Sequence, residues 1–317
     1  MKLPMYAETE IDLPAMGAWP AGRHRFDERQ IAALRAAEAA GRPLLIRGEP
    51  GTGKSQLAHA AAAATDRLLL SVVVDNRSEA SDLQWRFDAI ARLSDAQLVS
   101  AAGGTTRQDL DPSGYVEPGP LWWAFDWDSA REQAISARIR CTQPFMPLGW
   151  TPARGTVLLI DEIDKAEADV PNGLLEALGH WRFKVPALGR VIGLPDNIPP
   201  PLIVVTTNDE RELPAPFLRR CLVLTLALPP ERAALTAHMA DIGRLHFPAF
   251  HALHPKVFES AAEMLADDRD RAVESGVYKP GLSEFLDLMR VLERVGGDPR
   301  ENLEKLREYV FRKQPAA

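Results

Sequence analysis

Cysteine is nearly absent. The 317 residues hold two, Cys141 and Cys221, far apart and without a CxxC or histidine spacing. That excludes a disulfide framework and a structural zinc site, and leaves two reduced thiols. Long apolar runs are missing too: the most apolar stretch, 57–74, is interrupted by His59, Asp66 and Arg67, which cannot sit unpaired in the core of a bilayer, so no membrane span is expected. The N-terminus, MKLPMYAETEIDLPAMG, has acids and prolines where an export signal needs an unbroken apolar run, and the cytoplasm is the expected location. Nor is there an excess of basic charge. A formal net charge of −7 gives no electrostatic footprint for nucleic acid, and no such partner is expected. With 46% hydrophobic and 26% charged residues the composition is that of an ordinary folded chain, neither disordered nor fibrous.

What the sequence does contain is an alternation of strand and helix signals. Residues 1–26 are rich in proline and glycine without apolar periodicity and read as an irregular arm. From Asp27, DERQIAALRAAEAAG has a capping acid, helical apolar spacing and a terminal Gly41, the marks of an amphipathic helix. A short apolar run at 43–46 ends in a glycine-rich loop, and an alanine-rich helix follows at 55–64. Further apolar runs occur at 68–74, 156–160, 202–206 and 222–226. Strands that are apolar throughout belong to sheets covered on both faces, so a doubly wound α/β fold with five parallel strands is expected. The stretches 101–120, glycine-rich, and 143–154, proline-rich, read as an insertion near 100–155, whose Trp122, Trp123, Trp127 and Trp150 anchor it on the core. After Pro229 and Pro230 only helical patterns remain. The expected division is therefore an α/β domain over 27–229 and a small all-helical domain over 230–317.

Three segments carry chemistry. GEPGTGKS comprises Gly48, Glu49, Pro50, Gly51, Thr52, Gly53, Lys54 and Ser55; it fits GxxxxGK[ST] between an expected strand and an expected helix, and Gln56 continues it. Its glycines let backbone N–H groups turn inward around the β- and γ-phosphates, Lys54 neutralises phosphate charge, and Ser55 offers its hydroxyl to Mg²⁺. The ligands expected are ATP and Mg²⁺; no NKxD motif for guanine is present. The second segment, TVLLIDEID, delivers two carboxylates at the C-terminal end of a strand, the edge at which open α/β sheets bind ligands. Asp161 is placed to hold Mg²⁺, directly or through water, and Glu162 to orient the attacking water. In the third, PLIVVTTNDERELPAPFLRRC, a strand ends in Asn208, whose amide can hold the water or a γ-phosphate oxygen, and the chain continues to Arg219 and Arg220.

In this order and spacing GEPGTGKS, LLIDEIDKA, NGLLEAL and VVTTNDERELPAPFLRRC resemble AAA+ ATPases of the MoxR-like branch, well over about 31–229 and loosely over the helical tail. The resemblance implies a AAA+ P-loop NTPase core with a helical lid. It makes the acidic strand the Walker B motif, Asn208 sensor 1, and Arg220 the arginine finger lent to a neighbouring subunit, with Arg219 next in line. It also implies a homo-oligomer, a hexameric ring that remodels a partner protein in a chaperone-like way, often a partner with a von Willebrand factor A domain. Residues 180–194, HWRFKVPALGRVIGL, resemble the hairpin such ATPases insert here. Alternation around Trp181 and Phe183, with a turn near Gly189, fits two strands that either cover the core or contact a partner. One departure stands out. Where the family carries a sensor 2 arginine soon after a GxS turn, this chain reads GLSEF with Phe285, so either Lys279 just upstream supplies the positive charge to the nucleotide or the lid does not touch the γ-phosphate. Two other readings use the same residues: a nucleotide-dependent assembly switch with slow hydrolysis, and a monomeric P-loop kinase.

Overall fold

The computed structural model of the chain describes residues 9–16, 19, 21–101, 110–275 and 279–311. In chain order the strands are β1 (Glu10–Leu13), β2 (Gly22–Arg25), β3 (Leu44–Arg47), β4 (Leu68–Val73), β5 (Trp85–Phe87), β6 (Val116–Pro118), β7 (Thr156–Asp161), β8 (Arg182–Val185), β9 (Arg190–Gly193), β10 (Leu202–Thr207) and β11 (Leu222–Thr225). The helices are α1 (Glu28–Ala40), α2 (Lys54–Ala64), α3 (Ala89–Ala101), α4 (Pro120–Phe125), α5 (Trp127–Ser136), α6 (Asp169–Gly173), α7 (Leu175–His180), α8 (Ala215–Leu218), α9 (Arg232–His246), α10 (Pro248–Leu253), α11 (Pro255–Ser275), α12 (Leu282–Val295) and α13 (Pro299–Val310). The chain forms two compact units: one holds Phe26–Ile46 and Leu57–Leu224, the other Glu10–Arg25, Arg47–Gln56 and the chain from Thr225 on. Among the described residues no helix is long and apolar enough to cross a membrane.

The first unit is built on the expected five-stranded parallel sheet, in the order β11–β3–β10–β7–β4. β7 lies between β10 and β4, with Ile160 opposite Val205 on one side and Val72 on the other. The inner strands are apolar and buried along nearly their whole length, because helices cover both faces of a parallel sheet. The edge strands β4 and β11 expose every second residue near their ends, such as Val73 and Val223. Capping fixes the helix ends as the sequence suggests. Asp27 and Gln30 form a reciprocal capping box on α1, and Gly41 closes that helix in the left-handed conformation.

The tryptophans are core, as expected. Trp122 is fully buried, Trp123 lies 4.9 Å from Trp127, and Trp127 lies 4.9 Å from Trp150, ring centre to ring centre. Within the stretch read as an insertion, Tyr115, Val116 and the α4 residues Leu121 to Phe125 are buried, and most of them belong to the principal core. Gly119 and Pro120 mark tight packing and a helix start there, whereas 143–151 is irregular, with Phe145 and Leu148 exposed. A Cβ on Gly119 would come within 2.6 Å of the Asp82 carbonyl oxygen, and Pro120 opens α4. The glycine-rich residues 102–109 lie outside the described residues.

The second unit contains a hairpin where an irregular arm was expected. β1 and β2 pair antiparallel, with Glu10 opposite Arg25 and Asp12 opposite Arg23, and both opposed pairs form ion pairs at 2.7 Å. Their alternation, with Leu13 and His24 turned inward, is carried by four-residue strands too short to stand out among prolines. Helices α9 to α13 enclose an apolar core around Met239, Phe258, Leu288 and Met289. Gly243 lets α9 approach α11, since a Cβ there would fall 2.6 Å from the Phe258 ring. Asp268, buried on α11, accepts two hydrogen bonds from Arg307 of α13 at 2.7 and 3.0 Å.

Candidate functional site

In the first unit the acidic and amide segments leave adjacent strands and are tied together at their roots. Asp161 ends β7, and Glu162 follows in the left-handed conformation, φ 60° and ψ 46°, which costs a non-glycine residue about 1 kcal/mol. The backbone N–H of Glu162 holds that turn by donating to Thr206 Oγ1 at 3.0 Å, and the Thr206 hydroxyl donates in turn to the Asp161 carboxylate. Thr206 is fully buried in β10, while its two partners are half-buried, so the bonds lie at the margin of the core. Three residues past Asp161, the carboxylate of Asp164 is 1% exposed, and one of its oxygens accepts from the Asn208 N–H at 3.2 Å and the Glu210 N–H at 3.0 Å. Asp209 between them takes a left-handed φ of 58°, its N–H bonded to Thr207 Oγ1 at 2.9 Å. Asp161, Glu162 and Asn208 are thus brought together, and two residues that motif reading passed over, Thr206 and Asp164, hold them.

Arg219 and Arg220 follow α8 in the same unit. Both side chains are exposed, while their backbone carbonyls accept hydrogen bonds from Arg42, that to Arg220 at 3.0 Å. Beside them Cys221 is buried, and burial pushes its thiol up to about 12. Cys141 is likewise pushed up to about 11 by burial and by Glu117, so both remain protonated thiols near neutral pH.

The phosphate loop belongs to the second unit. Gly48 has φ 154°, and a Cβ on it would fall 2.1 Å from the Leu226 carbonyl oxygen, so glycine is required by contact as well as by conformation. Lys54, nearly buried, donates to the carbonyls of Gly48 and Glu49 at 2.7 and 2.9 Å, and the Thr52 hydroxyl donates to the Glu49 carbonyl at 2.9 Å. Helix α2 begins at Lys54, and its first N–H groups have no intrahelical acceptor, which is the local basis for binding an anion. Gln56 donates to the Arg23 carbonyl at 3.1 Å and so joins the loop to β2.

The Glu49 side chain turns to the helical part of its own unit. Its Oε2 accepts from Arg269 of α11 at 2.7 Å, and its Oε1 lies 3.5 Å from the ammonium of Lys279. Burial alone would raise the Glu49 pKa, but the two cations outweigh it and the carboxyl is held below its ordinary range. Gly51, φ 75°, packs against Ser283 at the start of α12. Phe285, standing where the resemblance expects an arginine, is fully buried in the helical core. In the second unit Ser55 offers a hydroxyl and in the first Asp161 offers a carboxylate, and each is a hard oxygen donor of the kind Mg²⁺ takes.

The profile of the AAA domain, dynein-related subfamily, matches residues 43–221, more than half of the chain. Among solved structures, the Holliday junction branch migration motor RuvB of Thermotoga maritima is 16% identical; the match covers 88% of this chain and 67% of that one with a TM-score of 0.40. A candidate ATPase of Cytophaga hutchinsonii is 14% identical over 89% of this chain and 79% of that one, with a TM-score of 0.38. Likenesses at this level say nothing of activity. No curated protein matches the chain.

Proposed function

The chain belongs to the dynein-related subfamily of AAA domains, and we propose that it is a MgATP-hydrolysing AAA+ ATPase of the MoxR-like branch that works as a homo-oligomer, a hexameric ring in the cytoplasm, to remodel a partner protein. The supporting observation is the tie between the strand ends: Thr206 bridges Asp161 and the Glu162 backbone, and Asp164 holds the backbone of Asn208. The tie holds the Asp161 carboxylate and the backbone from which the Glu162 and Asn208 side chains project, and such preorganisation of polar groups is what electrostatic catalysis draws on.

In this reading Lys54 would meet the charge of the β- and γ-phosphates, and Ser55 and Asp161 would hold Mg²⁺, whose charge would stabilise the transferring phosphoryl group. Glu162 polarises the attacking water and Asn208 orients it. Arg220 of a neighbouring subunit completes the site, and the exposure of Arg219 and Arg220 favours this over a monomeric kinase, which leaves them without a task. A partner with a von Willebrand factor A domain fits the MoxR-like branch. The outward face of the β8–β9 hairpin, with Arg182 and Lys184 exposed, is the surface offered to it.

The test is Glu162→Gln measured for both binding and turnover. Lys54 meets charge present in bound MgATP, whereas Glu162 matters chiefly in the transition state, so Lys54→Ala should abolish binding and Glu162→Gln should retain ATP without hydrolysing it. Equal hydrolysis rates in wild type and Glu162→Gln would overturn the assignment.

A further inference from the structure

Glu49 is bound on two sides at once. Its backbone carbonyl accepts from Lys54 at 2.9 Å, and its carboxylate accepts from Arg269 and faces Lys279. Arg269 also donates to the Pro280 carbonyl at 2.7 Å, next to Lys279 and two residues before α12. The Arg269 side chain is 14% exposed, against 40% for Lys279 and 46% for Glu49. One carboxylate therefore meets two cations, at the rim of a loop whose glycines and lysine are arranged for polyphosphate. The arginine expected at position 285 is absent, and Phe285 is locked into the helical core.

We propose that Arg269, assisted by Lys279, serves the terminal phosphate of ATP in place of that arginine, and that Glu49 is the internal anion that holds the two cations until the nucleotide arrives. A γ-phosphate carries more charge than one carboxylate and offers three acceptor oxygens, so it competes for a guanidinium that Glu49 already pre-orients. Lys54 undergoes the matching exchange, from the carbonyls of Gly48 and Glu49 to phosphate. Two adjacent exchanges at one residue make the loop and the start of α12 respond together, and the exchange at Arg269 distinguishes ATP from ADP because only ATP presents the γ-phosphate.

The proposal rests on ATP binding at the phosphate loop, and calorimetric titration of the full chain with ATP and with ADP, each with Mg²⁺, separates the two. If wild type binds neither nucleotide, the ATPase reading falls with it. Given wild-type binding, Arg269→Gln should lower ATP affinity about tenfold and ADP affinity much less, the size expected for loss of a hydrogen bond between charged groups that is partly exposed. Lys279→Gln, at a half-exposed position that does not bear on folding, should act in the same direction and more weakly. Glu49→Gln should strengthen ATP binding about threefold, since it removes the competitor. Equal ATP-to-ADP affinity ratios in wild type and both cation variants, or weaker ATP binding in Glu49→Gln, would overturn the proposal and leave the three residues as a structural clasp.

Discussion

At the scale of single residues, the site separates groups that meet the ligand from groups that hold them. Thr206 is the sharpest case of the second kind: one buried hydroxyl donates to Asp161 and accepts from the Glu162 N–H. Thr206→Val keeps the shape, removes both bonds and leaves a half-buried N–H without its acceptor, a cost of about 1 kcal/mol. The left-handed turn at Glu162 would then relax, and kcat should fall roughly 10²-fold, as for other losses of preorganised polar contacts, with ATP affinity nearly unchanged. Thr206→Ser, which retains the hydroxyl, should restore most of the rate; a Val variant with normal kcat would remove Thr206 from the catalytic geometry. Lys54, Asp161 and Glu162 were legible in the sequence because their chemistry demands fixed spacing along one strand, turn or loop. Thr206, Asp164 and Arg269 were not, because each acts across a fold-dependent distance: Thr206 is 44 residues from Glu162, and Arg269 is 220 from Glu49.

Among elements, uniformly buried strands were readable and half-buried ones were not. The runs at β3, β7 and β10 are apolar on both faces and announce themselves, whereas β1 and β2 present two apolar or half-apolar residues each among charges. Gly119 and Pro120 show that glycine and proline mark close backbone approach and helix starts as readily as loops. The β8–β9 hairpin forms where alternation predicted it, with Phe183 opposite Ile192 and both buried. Phe183 packs 6.3 Å from Trp122 and 6.0 Å from Phe125, ring centre to ring centre, so this aromatic covers the core and is not offered to a partner. Phe183→Ala should therefore cost about 3–5 kcal/mol in urea unfolding. Arg182→Ala with Lys184→Ala, on the opposite face, should stay within about 0.5 kcal/mol per residue and keep basal ATPase activity. Similar unfolding midpoints for the Phe183 and the double variant would place Phe183 outside the core.

For the whole molecule, the exposed ends of α8 raise the question of what completes the site. Arg42 donates to the backbone carbonyls of Arg219 and Arg220, and both arginines are exposed, so the segment is anchored through its backbone with its side chains at the surface. An arginine supplied across an interface can contribute roughly 10³ to 10⁵ in rate, because it stabilises charge that appears as the phosphoryl group departs. Arg220→Ala should accordingly bind ATP almost normally and lose most turnover, and wild-type specific activity should fall on dilution, while ATP, bridging two subunits, should favour assembly. Complementation is the stronger measurement. Arg220→Ala subunits keep a sound phosphate loop, and Lys54→Ala subunits keep a sound arginine. A mixed interface therefore joins an intact loop to an intact arginine, and two inactive proteins should recover part of the wild-type rate when combined. If mixing restores nothing, and wild-type specific activity stays constant on dilution into the range where sedimentation shows only monomer, each chain completes its own site and the trans-acting role of Arg220 is wrong.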